Sequence, residues 1–212
     1  EGAVLKTLKI WPSSWAQTTA SINTHRVFDG KIIHNAPLRL FYQYRRDNHR
    51  PQPIPRLVTH HWSANPKKGF DFYAKLAQRD DIEFTFYGRA KGTPLEGYAK
   101  AFAPIDAEQL SVELPKHDIY VTASLEEAGA NHVLEAMACC LPVIFHNGGG
   151  SIPEYVNDRG LPFDGTMEGF NAALKQMQDN YSLMHQRVTG YTNTMEDVVK
   201  KYVKCIEAAV HE

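Results

Sequence analysis

The sequence predicts an α/β fold, a Rossmann-like doubly wound parallel sheet with helices on both faces. Two observations lead there. Short runs rich in β-branched and aromatic residues alternate with amphipathic stretches of about ten residues, the pattern of successive βαβ units. The alternation begins only after RPQPIP, where Pro51, Pro53 and Pro55 stiffen the chain and block both helix and central strand. That segment divides the chain into residues 1–50, poorly periodic and rich in Ser, Thr, Asn and Arg, and residues 51–212.

Each element has its own signal. Residues 56–62 (RLVTHHW) suit a strand. In residues 69–78, Phe70, Tyr73, Leu76 and Ala77 fall on one helical face. Residues 82–88 alternate Ile82, Phe84 and Phe86 and stop at Gly88, as a strand does. A short helix around 108–114 precedes a strand over 118–124. Residues 132–140 read as a helix and 141–147 as an apolar strand. Gly148, Gly149 and Gly150 make a loop before a helical turn near 152–156. Helices are expected over 166–178 and 194–210. The last carries Met195, Val198, Val199, Tyr202, Ile206 and Val210 at helical spacing, a stripe expected to pack in the core.

Composition narrows the function. Lys and Arg total 23 against 24 Asp and Glu, so no basic excess exists to release counterions from phosphates, and nucleic acid is not an expected partner. The three cysteines, Cys139, Cys140 and Cys205, include a vicinal pair and an odd member. They do not make a secreted disulfide framework, and a reducing, cytoplasmic compartment is expected. No apolar run is long enough to span a bilayer, so any membrane contact would be peripheral. The first residues lack the basic start and apolar stretch of a signal peptide, and the missing initiator Met is read as trimming.

In a doubly wound sheet, ligands bind beyond the carboxyl ends of the strands, which singles out residues 61–68, 88–92, 122–131 and 147–154. The first offers His60, His61, Ser63, Asn65, Lys67 and Lys68 before a helix. A lysine beside a helix N-terminus suits an anion, although two solvated lysines in a turn would read the same way. His60 and His61 adjoin and should point to opposite faces of a strand, which argues against a two-histidine metal site. The second segment spaces Glu127 and Glu135 seven residues apart. With Glu127 in the loop and Glu135 in the second helical turn, both can face one cleft. Gly129, Ala130 and Asn131 between them offer N–H groups with little side chain in the way. Carboxylates suit the vicinal hydroxyls of a sugar, and plain helix-start acids are the alternative. The third segment, with three glycines, could let a ligand approach the backbone or be only a flexible connection. The scattered histidines show no metal-binding spacing, no P-loop is present, and no nucleophile elbow occurs. Cys139 and Cys140 read as packing residues.

Together, PKKGFDFYAKLA and ASLEEAGANHVLEAMACCLPVIFHNGGGSIPEYV resemble the C-terminal, donor-binding domain of retaining GT-B-fold glycosyltransferases, glycosyl transferases group 1. The likeness covers roughly residues 31–180, and KIIHNAPL resembles the segment joining the two domains of that fold. The resemblance implies transfer of a sugar from a UDP- or GDP-sugar, with retention at the anomeric carbon, to a glycan or lipid-linked acceptor. It implies no cofactor and no metal. Lys68 would bind the donor diphosphate, and Glu127 would lie by the transferred sugar. The backbone of Gly129, Ala130 and Asn131 would hold the sugar or distal phosphate, the side chains of Asn131 and His132 would help select the sugar, and Glu135 would bind the ribose hydroxyls. The base would lie near Gly88 and residues 98–103. Many members carry an arginine shortly before the lysine. HHWSANPK has none, so either His61, Ser63 or Asn65 takes its place or phosphate binding is weaker. Residues 1–50 would then be the remnant of an N-terminal, acceptor-binding domain, with its last helix and exit strand in residues 11–35, and the chain alone would bind donor without transferring sugar. The alternatives are a non-catalytic nucleotide-sugar-binding module and a GT-B-like sugar-nucleotide epimerase.

Overall fold

The computed structural model describes residues 10–12, 31–127 and 129–211. Its strands are β1 (Ile10–Pro12), β2 (Lys31–Ile33), β3 (Arg56–His61), β4 (Glu83–Gly88), β5 (Ala101–Phe102), β6 (Ile119–Thr122), β7 (Val143–His146) and β8 (Gly160–Phe163). Its helices are α1 (Phe70–Leu76), α2 (Ala107–Glu113), α3 (Asn131–Ala138), α4 (Ile152–Val156), α5 (Met167–Asp179), α6 (Tyr181–Thr189) and α7 (Met195–His211). β1 and β2 pair in parallel, apart from the main sheet.

The main sheet has six strands in the order β5-β4-β3-β6-β7-β8, all parallel. The chain runs outward from β3 to one edge and then returns to build the other half from β6. The strand order therefore reverses between β3 and β6, and a crevice opens beyond their carboxyl ends. This is the doubly wound architecture that the alternating pattern predicts.

Neighbouring residues on each central strand enter different cores, because side chains alternate across a sheet. Val58, Tyr120 and Val143 pack with Val133, Leu134 and Met137 of α3 and Leu110 of α2. Leu57, Ile119 and Ile144 pack on the opposite face with Phe70, Tyr73 and Leu76 of α1 and Phe170 and Met177 of α5. Burial on both faces explains why β6 and β7 read as continuous apolar runs.

Residues 33–50 lie against this domain. Phe41 is fully buried in the α3 core, and His49 bonds the buried Asp118 at 2.6 Å. Most of the expected helix and exit strand over 11–35 lies outside the described residues. The α7 stripe departs from its expected role as core. Val198 is buried against Ile33 and Ala36, with Met195 and Tyr202 partly covered, but Val199 and Ile206 are exposed. Among the described residues the helix packs against the short segment around β2, and the Val210 side chain lies outside them.

Candidate functional site

A cleft of about 310 Å³ lies beyond β3 and β6, at the reversal of strand order. His60, His61, Trp62, Ser63 and Lys68 line it from the β3 side. Glu127, Gly129, Ala130, Asn131, His132 and Glu135 line it from the β6–α3 side. Lys68, Glu127 and Glu135, with His61, Ser63, Gly129, Ala130, Asn131 and His132, therefore meet in one place, whereas Asn65, Lys67, Gly88, residues 98–103 and the three glycines do not line it.

Local geometry explains the convergence. After β3, Asn65 accepts a hydrogen bond from the Lys67 N–H and caps a 3-10 turn, Pro66–Lys68. Gly69 follows at φ 85, where a Cβ would lie 2.5 Å from the Ala123 Cβ. Only glycine permits that approach, which seats the turn against the exit of β6. The Leu125 N–H then donates to the Lys67 carbonyl at 2.7 Å, and Lys68 reaches Glu127 as an ion pair. Asn65 is occupied as a cap, so Ser63 is the polar residue of that stretch, besides the histidines, that faces the cleft.

On the other side, Ala130 precedes α3 in the left-handed region at φ 34, and no side chain caps the helix. Its first N–H groups open on the cleft and suit an anion. Glu135 stands in the second turn, as its spacing from Glu127 predicts, and its Oε2 lies 2.8 Å from His60 Nε2. Asn131, expected to help select a sugar, has its Oδ1 held by the Asn35 side chain, which ties residues 31–38 to the start of α3.

The three glycines act differently from a ligand cradle, and none lines the cleft. A Cβ on Gly150, at φ 67, would lie 2.5 Å from the Glu127 carbonyl oxygen. The N–H groups of Glu126 and Glu127 donate to the Gly148 and Gly149 carbonyls at 3.3 Å, and Ser151 N–H donates to Glu127 at 2.9 Å. The triple glycine approaches the chain itself and braces the loop carrying Glu127.

One expectation about histidine is corrected. His60 and His61 both serve the cleft, because β3 ends at His61 and the cleft wraps around the strand end. His61, His132 and Glu127 also converge, with one potential ligand atom from each within 4.8 Å of the others, although sequence spacing gives no hint of it. Burial drives His61 well below the usual imidazole range, and Lys68 and His60 add to the effect. Burial does the same to His132, with His61, His60 and Lys68 beside it. Both rings are therefore neutral near pH 7. Tyr73 Oη bonds His61 Nε2 at 2.9 Å, and burial raises that phenol to about 12. Tyr120 Oη lies 3.2 Å from His60 Nδ1, so His60 is held between a phenol and Glu135. Trp62, which sequence reasoning did not single out, is 52% exposed at the rim. It also borders a narrow apolar slot beside Tyr87, Gly88, Pro104 and Ile105.

A family model described as glycosyl transferases group 1 matches residues 64–180. A probable sucrose-phosphate synthase from Thermosipho melanesiensis is 26% identical over 192 residues. That match takes in 79% of this chain but 44% of the relative, so the chain spans less than half of the curated protein it matches. Sucrose-phosphate synthase from Thermosynechococcus elongatus superposes with a TM-score of 0.67 at 17% identity, over 95% of this chain and 58% of that one. A pneumococcal O-GlcNAc transferase, solved in complex with UDP and GlcNAc, superposes with a TM-score of 0.63 at 15% identity, over 99% of this chain and 47% of that one. These likenesses show a shared GT-B-type fold.

Proposed function

The chain belongs to the glycosyl transferases group 1 family, and from that premise we propose that its cleft binds the nucleotide-sugar donor of a retaining glycosyltransferase. One observation carries the reading. Lys68 and the uncapped start of α3 face the same space as Glu127 and Glu135, at the crevice where the sheet reverses. Cation and N–H groups suit a diphosphate, and the two carboxylates suit the hydroxyls of its two sugars.

In this reading Lys68 and the N–H groups of 129–132 stabilise the diphosphate as it leaves, an electrostatic form of catalysis. Glu135, oriented by His60, accepts from the ribose hydroxyls. Glu127, braced by the glycine loop, lies beside the transferred sugar. Ser63 and the α3 N–H groups take the place of the absent arginine. The base enters the apolar slot by Trp62, Gly88 and Ile105. The donor is a UDP- or GDP-sugar, and the acceptor is a glycan or lipid-linked sugar bound by a further domain. We propose a cytoplasmic location for this chemistry.

The test is a thermal melt with UDP and with GDP. A ligand at about 100 times its Kd stabilises by about 2.7 kcal/mol. For a chain of this size that raises Tm by roughly 5–11 °C. Lys68→Ala should remove most of the rise. An unchanged melt with every common nucleoside diphosphate would overturn the reading.

A further inference from the structure

We propose that His61, Glu127 and His132 form a binding site for a zinc-like divalent ion within the cleft. One ligand atom from each side chain lies within 4.8 Å of the other two. Two imidazoles and a carboxylate are a recurrent zinc ligand set, with a fourth position left for water or another ligand. Ligand atoms about 2.0–2.1 Å from a tetrahedral ion sit about 3.3–3.5 Å apart. An inward shift of about an ångström therefore closes the set, and the Glu127 side chain, reaching in from a loop, can supply much of it.

The surroundings favour ligation. Each ring has one nitrogen held by a hydroxyl, His61 by Tyr73 at 2.9 Å and His132 by Thr122 at 3.2 Å. Such contacts fix the orientation of a metal-bound imidazole. Both rings are buried, while the cleft gives an ion a way in. Lys68, a cation set against the ion, already sits on Glu127. The ion competes with Lys68 for Glu127, so metal occupancy weakens the Lys68–Glu127 pair. Hard ions such as Mg²⁺ prefer all-oxygen sets and are not expected here.

The site shares Glu127 and His132 with the proposed donor site, but its test uses no nucleotide, so the two readings can fail separately. Zn²⁺ is titrated calorimetrically into the full chain, and Co²⁺ into a parallel sample to record visible d–d bands. One Zn²⁺ class is expected, with tetrahedral cobalt bands. Losing an outer-shell partner costs about 10–100-fold in affinity, so losing a ligand should cost at least about 100-fold. His132→Ala and the loop variant Glu127→Gln should both show that loss, with melts confirming that each is folded. His34→Ala should leave the affinity unchanged. Lys68→Ala should bind Zn²⁺ several-fold more tightly, because Glu127 is released. Equal affinity in the parent, His132→Ala and Glu127→Gln, or no Zn²⁺ binding by the parent, overturns the proposal.

Discussion

If Glu135 reads the ribose, then Glu135→Gln and a donor without ribose hydroxyls should report the same interaction. The Glu135 side chain is 20% exposed, and one carboxylate oxygen is engaged by His60 at 2.8 Å. The remaining lone pairs face the cleft. Hydrogen bonds to a charged group contribute about 1.5–3 kcal/mol, more than neutral ones do. At about 1.4 kcal/mol per decade, the substitution should weaken UDP binding about 10- to 150-fold. The 2′,3′-dideoxy analogue should lose a similar factor against the parent protein. Against Glu135→Gln, the same analogue should lose little more, because the partner is already gone. Calorimetric titration of both nucleotides into both proteins at one salt concentration closes the cycle and isolates the pairwise term. Melts without nucleotide separate any loss of fold from loss of recognition. If the analogue weakens by equal factors against both proteins, Glu135 does not contact the ribose.

Two further predictions concern the frame that holds the cleft. Asp118 is fully buried at the start of β6 and joins Arg56, at 2.9 Å, to His49. Asp118→Asn leaves those partners unmatched and should cost about 3–5 kcal/mol, read as a Tm drop of roughly 6–20 °C. A parent-like melt would refute this. Burial pushes the Asp118 carboxyl upward, but bonds from the Arg56 side chain and N–H and from His49 outweigh it, and the net shift is downward. The stability this group contributes is therefore full above the ordinary carboxylate range and lost as pH falls through its depressed folded value. The acid limb of stability in the parent should flatten in Asp118→Asn. Gly150→Ala forces a Cβ to within 2.5 Å of the Glu127 carbonyl in a left-handed conformation, and should destabilise by about 1–3 kcal/mol and weaken UDP binding. In Gly148→Ala the nearest atoms belong to the His146 side chain, at 3.1 Å, and φ is not left-handed, so that variant should be milder. Equal effects from both would show that the brace on Glu127 is unimportant.

The central sheet is legible because burial on both faces leaves unbroken apolar runs such as LPVIFH. Other elements hide for specific reasons. β8 is a four-residue edge strand with Pro162 exposed on it, and proline within a short run reads as a loop. β5 has two residues, too few to show a period. α6 did carry a signal, Tyr181, Met184, His185 and Val188 at spacings of three, one and three, and all four are buried. In the site, Glu127, Glu135 and Lys68 are visible because helix geometry and loop length place them. His60 is not, because alternation sends it to the far face from His61, where it meets Tyr120 and Glu135 while His61 meets Tyr73 and Phe70, and the cleft takes in both faces at the strand end. The His61–His132–Glu127 cluster joins residues from a strand end, a loop and a helix, and only the fold brings them together.

The pairing within the cleft bears on how it would work. Lys68 is satisfied by Glu127, Glu135 by His60, and Asn131 by Asn35. A ligand entering such a site exchanges partners instead of filling vacancies, so its affinity is a difference between two sets of contacts. The cost falls on Lys68, which must leave or share Glu127 to meet a phosphate. The return is that the side chains are already held near working positions, with His60 fixed by Tyr120 and the Glu127 loop fixed by glycines. Asn131 is the exception, because its partner comes from the segment before the sheet. Movement of residues 31–38 would release the amide at the start of α3, next to the proposed phosphate position. If the cleft binds donor as proposed, donor binding and the placement of that segment would be linked through this hydrogen bond, each altering the other's energy.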